Sequence, residues 1–220
     1  MPDLKIALVV DTKDSWMNSH LGGIKKALEE RGHSVAACSS HAEVPEGDIA
    51  FFLSCERIIS QDTMKKNRHN IVIHASDLPK GKGWSPLTWQ VLEGRDRIPV
   101  SLFEAVAKVD AGPIYLKGHV ELEGHELIDE MRAKLAAVIQ DMVVRFVDSY
   151  PNLRSEQQAG AETFYKKRAP KDSELDADKP IKEQFSLLRV VDNERYPAFF
   201  QYKGRKYVLK IYDAGASEKK

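Results

Sequence analysis

Short apolar runs alternate with helical segments along the first half of the chain. Residues 14–32 predict a helix, because Leu21, Ile24 and Leu28 fall on one stripe of its surface. The polar residues 60–68 predict a surface helix. Four runs of mostly apolar residues predict buried strands, at 5–10, 34–38, 48–53 and 71–74. This alternation predicts an α/β protein with a mostly parallel sheet and helices on its faces.

The rest of the first 150 residues predicts two more helices and two more strands. The helices are expected at 86–92 and 126–148, and the strands at 99–103 and 114–122. Ser85 and Pro86 are typical of a helix start. In the longer helix Leu127, Met131 and Leu135 begin an apolar stripe of helical spacing. That stripe predicts packing in the core rather than a cofactor site.

The last third of the chain changes in composition. Residues 151–184 are polar and charged, which predicts a linker or an arm on the surface of a main domain at 1–150. Residues 185–213 regain apolar character and carry a hairpin signal at Lys203-Gly204. A two-stranded ribbon is only marginally stable alone. We therefore expect this small subdomain to pack on the main domain or on a second subunit of a homodimer, and residues 214–220 to be disordered.

Composition excludes several classes of protein. The 220 residues hold 33 Lys/Arg and 33 Asp/Glu, so the chain is not a strongly basic nucleic-acid binder. Cys38 and Cys55 have no CxxC spacing and predict reduced core thiols in a cytoplasmic protein. No apolar run approaches the ~20 residues that span a bilayer. The sequence also enters a strand at once, which argues against a targeting peptide and a membrane partner.

The segment 71–86 is the best candidate for a functional site. A strand of β-branched residues ends at His74 and runs into a loop that contains Pro79, Gly81, Gly83 and Pro86. Open α/β sheets place functional groups in this way at the carboxyl edge of their strands. The alternative interpretation of His74 is a satisfied histidine at a strand end.

Three motifs in this region resemble the folate-dependent formyltransferases, which include glycinamide ribonucleotide, methionyl-tRNA and sugar N-formyltransferases. The motifs are His74-Ala-Ser-Asp-Leu-Pro79, Gly83-Trp-Ser-Pro86 and Asp110-Ala-Gly112. His74 and Asp110 are 36 positions apart, as is usual in the family. The resemblance covers residues 50–150 well and the N-terminal part weakly. It implies a Rossmann-like sheet, the formyltransferase fold, with a short C-terminal β-ribbon.

The resemblance also implies a reaction and its residues. An amine would attack the formyl carbon of N10-formyltetrahydrofolate, with His74 stabilising the intermediate and moving a proton, and Asp110 orienting the histidine and tuning its pKa. The alternative for Asp110 is a plain turn residue. The family's asparagine two positions before the histidine is Val72 here. Asn70 has the same strand parity but lies roughly 13 Å from His74 along the strand. A backbone N–H, Ser76 or a water would then replace the asparagine.

By position in the family, two loops would bind the folate and one loop would bind the acceptor. The expected cofactor-binding residues are Ser54, Cys55, Glu56, Arg57, Ile58, Val106, Lys108 and Val109. The expected substrate-binding residues are Ser76, Lys82, Gly83, Trp84 and Pro86. Trp84 could stack on a sugar or base and Lys82 could meet a diphosphate, although Trp84 could also be a packing aromatic and 54–59 a plain β-α turn. The histidines form no ligand spacing, so no metal is expected.

The C-terminal third separates the candidate acceptors. Residues 151–220 hold 15 Lys/Arg against 11 Asp/Glu, a weak grip for a polyanion such as tRNA. The ribbon resembles the small C-terminal pieces of sugar N-formyltransferases, especially those of the pseudaminic-acid pathway. The leading hypothesis is therefore formylation of a nucleotide-linked aminodeoxy sugar, a small-molecule substrate. The alternatives are methionyl-tRNA formylation and, because of Val72, a folate- or nucleotide-sugar-binding homologue with weak or no catalysis.

Overall fold

The computed structural model describes residues 3–215, and the predicted α/β class with a mostly parallel sheet is confirmed. The first seven strands are β1 (Lys5–Val9), β2 (Ser34–Cys38), β3 (Gly47–Phe52), β4 (Asn67–His74), β5 (Lys82–Gly83), β6 (Arg97–Glu104) and β7 (Ile114–Glu121). Six of them form the main sheet in the order β2-β1-β3-β4-β6-β7. The first four strands of this order are parallel to one another, β6 is antiparallel to β4, and β7 is antiparallel to β6.

Within residues 3–215 five α-helices accompany the strands; α3 has the predicted bounds, α1, α2 and α4 differ from the predicted helices at their ends, and α5 was not predicted. They are α1 (Leu21–Glu29), α2 (Gln61–Met64), α3 (Pro86–Leu92), α4 (Ile128–Asp148) and α5 (Phe185–Arg189). The helix predicted from residue 14 starts as a 3-10 turn at Trp16–Ser19. The helix predicted at 60–68 is a single turn, because residues from Asn67 onward pair with β3, starting opposite Gly47. Sheet pairing outweighs the polar composition of this stretch.

The two faces of the sheet pack differently because neighbouring side chains of a strand point to opposite faces. In β1, Ile6 and Leu8 join the large core formed with α1 and α4. Ala7 and Val9 join a smaller cluster on the other face, with Phe52 and with loop residues such as Val44. That second face therefore has fewer covering side chains, and the candidate site lies against it.

The C-terminal third is attached to the main sheet. Strand β8 (Phe164–Tyr165) pairs with β5, and β9 (Glu174–Leu175), β10 (Ala198–Tyr202) and β11 (Arg205–Leu209) form a separate sheet of three strands. The turn of the expected hairpin is at Lys203-Gly204, both at positive φ. Arg189 joins this segment to the main body through an ion pair of 3.2 Å with the buried Glu126. The ribbon packs on α5, where Ala198 and Leu209 share an apolar cluster with Leu188, and α5 in turn contacts the main domain.

Within residues 3–215 no helix has both the length and the apolar character needed to cross a membrane. Of the segment expected to be disordered, residues 216–220 lie outside the described part of the chain.

Candidate active site

Three parallel strands end side by side at the candidate site. The carboxyl ends of parallel strands lie along one edge of a sheet, where open α/β sheets bind their ligands. Asp11 lies just beyond β1, Ser54 just beyond β3, and His74 is the last residue of β4. The order of the strands therefore brings together residues that are far apart in the sequence.

Two cavities open at this edge, and His74, Gly83 and Trp84 line both of them. The first, called here the apolar cavity, measures about 320 Å³ and lies between the loop after β3 and residues 103–110. The second, called here the basic cavity, measures about 270 Å³ and lies between α3, α4 and the C-terminal segment. His74 is thus the only histidine that lines both cavities among the described residues, and it shares this position with the side chains of Cys55 and Glu56.

The apolar cavity has a hydrophobic floor on the second face of the sheet. Phe52, Val72 and Phe103 line it from β3, β4 and β6. At its mouth Ile58 is 76% exposed and Val109 is 50% exposed. Exposed apolar side chains around a concave site are typical of a ligand-binding cleft. Of the predicted cofactor-binding residues, Ser54, Cys55, Glu56, Arg57, Ile58, Val106 and Val109 line this cavity, and Lys108 does not.

The imidazole of His74 is fixed by one backbone contact. Its Nε2 lies 3.0 Å from the carbonyl oxygen of Gly81. A carbonyl oxygen can only accept, so Nε2 carries a hydrogen, and in the neutral form of the ring the lone pair is then on Nδ1. Among the described residues Nδ1 has no hydrogen-bond partner. The geometry therefore presents Nδ1 as a proton acceptor within the cleft.

Asp110 binds the loop that holds His74. Its Oδ2 accepts the N–H of Gly83 at 3.0 Å, and its own φ of 52° is in the left-handed region. Gln158 donates to the carbonyl oxygens of Asp110 and Gly112 and so fixes this turn. No hydrogen bond joins the side chains of His74 and Asp110 in the described structure. The carboxylate is therefore linked to the imidazole only through the backbone of the loop, by way of Gly83 and Gly81, and the role of Asp110 in orienting His74 stays a prediction.

Residues 158–168, called here the strap, run along the same loop. The N–H of Gly81 donates to the Oγ1 of Thr163, and the N–H groups of Lys82 and Trp84 donate to the backbone of Thr163 and Tyr165. A Cβ on Gly83, which has a φ of 94°, would lie 2.5 Å from the carbonyl oxygen of Tyr165. Only glycine permits so close an approach of the two chains.

The structure corrects two of the predicted substrate-binding residues. Lys82 is 1% exposed, and its Nζ lies 2.8 Å from Oε1 of Glu162, so it cannot meet a diphosphate in the cleft. The same carboxylate binds Lys108 at 2.9 Å, and the hydrogen bonds from Lys82 and Lys108 hold the pKa of Glu162 below its ordinary value. Ser76 is also 1% exposed and lines neither cavity, so it is no oxyanion donor either. The remaining three, Gly83, Trp84 and Pro86, line the basic cavity.

Asn70 is also removed from the site. It is buried, and its Nδ2 donates to the carbonyl oxygens of Met64 and Asn67. Val72, at the position of the family's asparagine, contributes its side chain to the apolar floor. Asn70 therefore does not take the place of the family's asparagine, as its distance from His74 along the strand had predicted.

A buried carboxylate supports the loop after β3, and sequence reasoning missed it. The two oxygens of Asp11 accept the N–H groups of Glu56 and Arg57, each at 2.8 Å. Ligand atoms of Asp11, His41 and Cys55 lie within 4.8 Å of one another. Burial, followed by the charge of Asp11, raises the pKa of the Cys55 thiol to about 12. The thiol is therefore protonated, and the oxygens of Asp11 already serve the loop. The sequence signal that could have indicated this role is the position of Asp11, an acidic residue just after the first strand.

The fold and the cleft define a class: a Rossmann-like α/β protein with a histidine between two ligand cavities at the carboxyl edge of its sheet. The sequence pattern of the family described as "Formyl transferase" matches residues 7–147, and the chain belongs to that family. The predicted family is thus confirmed.

The chain is also similar to known proteins in sequence and in fold. A stretch of 106 residues is 28% identical to methionyl-tRNA formyltransferase of Thermotoga neapolitana, covering 48% of this chain and 34% of that protein. The chain therefore matches about a third of the length of this relative. The fold is shared with HypX from Aquifex aeolicus in complex with tetrahydrofolic acid, with a TM-score of 0.76, 17% identity, and 96% and 38% of the two chains covered. It is also shared with a sugar N-formyltransferase from a Shewanella species, with a TM-score of 0.71, 12% identity, and 97% and 99% covered.

Proposed function

We propose that the protein transfers a formyl group from N10-formyltetrahydrofolate to the amine of a nucleotide-linked aminodeoxy sugar. The observation that carries the proposal is the position of His74 between the two cavities, with Nε2–H held by Gly81 and Nδ1 free. One cavity would hold the donor and the other the acceptor.

The apolar cavity suits the donor. Its volume of about 320 Å³ lies in the range of small-molecule sites, and its apolar floor suits a flat heteroaromatic ring. Ser54–Ile58, Val106 and Val109 would hold the pterin, with backbone groups as polar partners. When bound, this co-substrate supplies the formyl carbon that the acceptor amine attacks. Membership of the family and the folate complex of HypX support this assignment.

His74 would handle the protons of the reaction. As the new C–N bond forms, the amine must lose a proton, and Nδ1 of His74 can take it. The resulting imidazolium carries its positive charge beside the oxygen on which negative charge develops, and the Gly81 carbonyl stabilises the Nε2–H side of the ring. The same proton can then pass to the nitrogen that leaves. Asp110 would act as a positioning residue through Gly83.

The acceptor proposal rests on the C-terminal segment. Its residues close the basic cavity, and its charge balance of 15 Lys/Arg to 11 Asp/Glu is modest for a tRNA-binding surface. A nucleotide-linked precursor of pseudaminic-acid type is the first acceptor to test. Methionyl-tRNA formylation is the second candidate, because the matched stretch of 106 residues is related to such an enzyme. The third candidate is a folate- or nucleotide-sugar-binding protein with little turnover, because Val72 stands where the family has an asparagine.

The test is an incubation with N10-formyltetrahydrofolate and a panel of UDP-, dTDP- and GDP-linked amino sugars, beside initiator methionyl-tRNA. Mass spectrometry of the products and release of tetrahydrofolate are followed, with His74→Gln as the control. Formylation of a nucleotide sugar that His74→Gln lowers by about 10²–10⁴-fold is expected. Formylation of the tRNA alone would establish the second function. Folate binding without turnover of any acceptor would establish the third.

A further inference from the structure

The wall of the basic cavity is rich in positive charge. Arg132, Lys167, Arg168 and Arg195 line it. Its acidic side chains among the described residues are those of Glu56 and Asp192. Three of the cations come from the C-terminal segment, where the sequence predicted a linker and a ribbon. The protein itself neutralises some of these charges.

Arg132 and Asp192 form a closed pair. The guanidinium lies 2.9 Å from Oδ2 of Asp192, and both side chains are largely buried. The other oxygen of Asp192 accepts the N–H groups of Glu194 and Arg195. This pair holds the turn 192–195 against α4, so the protein itself already neutralises the charge of Arg132.

Glu56 is the remaining carboxylate, and it is shared by two cations. Its oxygens lie 3.7 Å from Nζ of Lys167 and 3.5 Å from Nη2 of Arg195. All three side chains are partly exposed. Long ion pairs between exposed side chains contribute little stability. Glu56 is thus a weakly held counter-ion that a stronger anion could displace.

Arg168 lies deeper, and its hydrogen bonds are incomplete. The residue is 8% exposed, and its Nη atoms donate to Val190, Asp172 and Ser173. Its Nε–H is buried and has no acceptor among the described residues. A buried donor without a partner costs free energy that a bound acceptor would recover. A guanidinium is also the group best suited to phosphate oxygens.

We propose that Lys167, Arg168 and Arg195 form the subsite for the diphosphate of the acceptor, and that Glu56 occupies it as an internal counter-ion until the acceptor binds. Three cations against one carboxylate match an anion with two or more negative charges. Lys167 also lies 4.2 Å from the centre of the Trp84 ring, which places an aromatic surface beside the same subsite. The identity of the acceptor rests on the proposed function, but the anion subsite rests on the cavity alone.

Isothermal titration calorimetry with inorganic pyrophosphate tests the subsite without any formyl transfer. The parent protein is expected to bind it, and Lys167→Gln and Arg195→Gln are each expected to weaken binding about tenfold, as for the loss of one charge-assisted hydrogen bond. Lys171→Gln and Arg205→Gln are the matched controls, since both residues are exposed and line neither cavity. Both controls should bind as the parent does.

Glu56→Gln provides a test of opposite sign. It removes the competing carboxylate, so it should tighten pyrophosphate binding by several fold, and a uridine diphosphate titration should show the same order of variants. Failure of the parent to bind pyrophosphate, or equal losses in the variants and their controls, would overturn the subsite. Pyrophosphate binding with this pattern but without formylation of any amine would instead refute the proposed function and leave the subsite standing.

Discussion

At the scale of single residues, the site depends on what the backbone lets each side chain reach. His74 ends a strand, and its tautomer follows from a carbonyl two residues after Pro79. Asp110 is held by a positive φ and accepts from Gly83. His74 and Asp110 do not contact each other through these bonds. Any effect of Asp110 on His74 must therefore pass through the loop between Gly81 and Gly83.

Substitutions of Asp110 test this indirect link. Asp110→Ala removes the acceptor of the Gly83 N–H and should lower kcat by about 10²-fold or more, the size of a lost orienting contact. Asp110→Asn keeps an oxygen that can accept the same N–H and should retain more activity than the alanine variant. The measurement is kcat and KM for both variants with whichever acceptor the formylation assay identifies. Equal losses would show that the negative charge, rather than the loop contact, is what matters.

At the scale of elements, the strap joins the two halves of the site. It pairs with β5 and holds the loop that contacts His74. Its last two residues, Lys167 and Arg168, line the basic cavity. A polar segment can do this because its backbone forms the ladder while its side chains supply the ion pairs.

The close approach of Gly83 to the strap gives a sharp test. Gly83→Ala should displace β8 and lower both stability and activity, since the new Cβ would meet backbone at 2.5 Å. Gly94→Ala is the matched control: its φ is 83°, but nothing lies within 4 Å of the added Cβ. Both variants carry the roughly 1 kcal/mol strain of a non-glycine residue in this region, so Tm should fall in both. Only Gly83→Ala should also lose activity; equal behaviour would refute the role of the strap.

The buried lysine gives a second test at this scale. Glu162→Gln leaves Lys82 buried without a carboxylate and should lower Tm clearly, because an unpaired buried charge is costly. Adding Lys82→Met should recover most of the loss, since the stem of lysine and the side chain of methionine are similar in shape. Lys108→Met, which removes the exposed partner of the same carboxylate, should change Tm little. A double variant no more stable than Glu162→Gln would count against this account.

At the scale of the whole molecule, the C-terminal third is bound to the main domain through Glu126. The carboxylate is 1% exposed and accepts from the backbone N–H groups of Glu123 and Gly124, from Lys134, and from Arg189 of α5. Burial raises its pKa, but the hydrogen bond from Lys134 and those from the backbone outweigh burial and bring the pKa down to about 2.

This depressed pKa predicts how stability depends on pH. The folded pKa is about 2 and the unfolded value about 4.3, so the stabilisation is complete above about pH 4.3 and is lost as the pH falls toward 2. The effect is at most ~3 kcal/mol. We therefore expect the free energy of unfolding, measured with urea between pH 7 and pH 3, to fall less steeply at the acid end for Glu126→Gln than for the parent. Asp129→Asn, on an exposed carboxylate in the first turn of α4, should leave this dependence on pH unchanged. An unaltered slope in Glu126→Gln would contradict the prediction.

Periodicity and motif spacing were enough, in the sequence alone, to determine the sheet, the long helix and the position of His74, because these depend on local alternation and on residues close in the chain. The family followed from three short motifs within 39 residues of one another. The helix predicted at 60–68 ends earlier than expected, since only pairing with β3 shows that Asn67 and Arg68 belong to the sheet.

Tertiary structure alone decided which groups meet. Lys82 looked like a ligand for phosphate, but Glu162, 80 positions later, neutralises it in the interior. Asp11 gave no motif, yet it supports the loop of the apolar cavity. The cations of the basic cavity come from a segment whose composition indicated a linker. Contacts between distant residues have no signature in local periodicity, so the sequence located the histidine, and the fold determined what surrounds it.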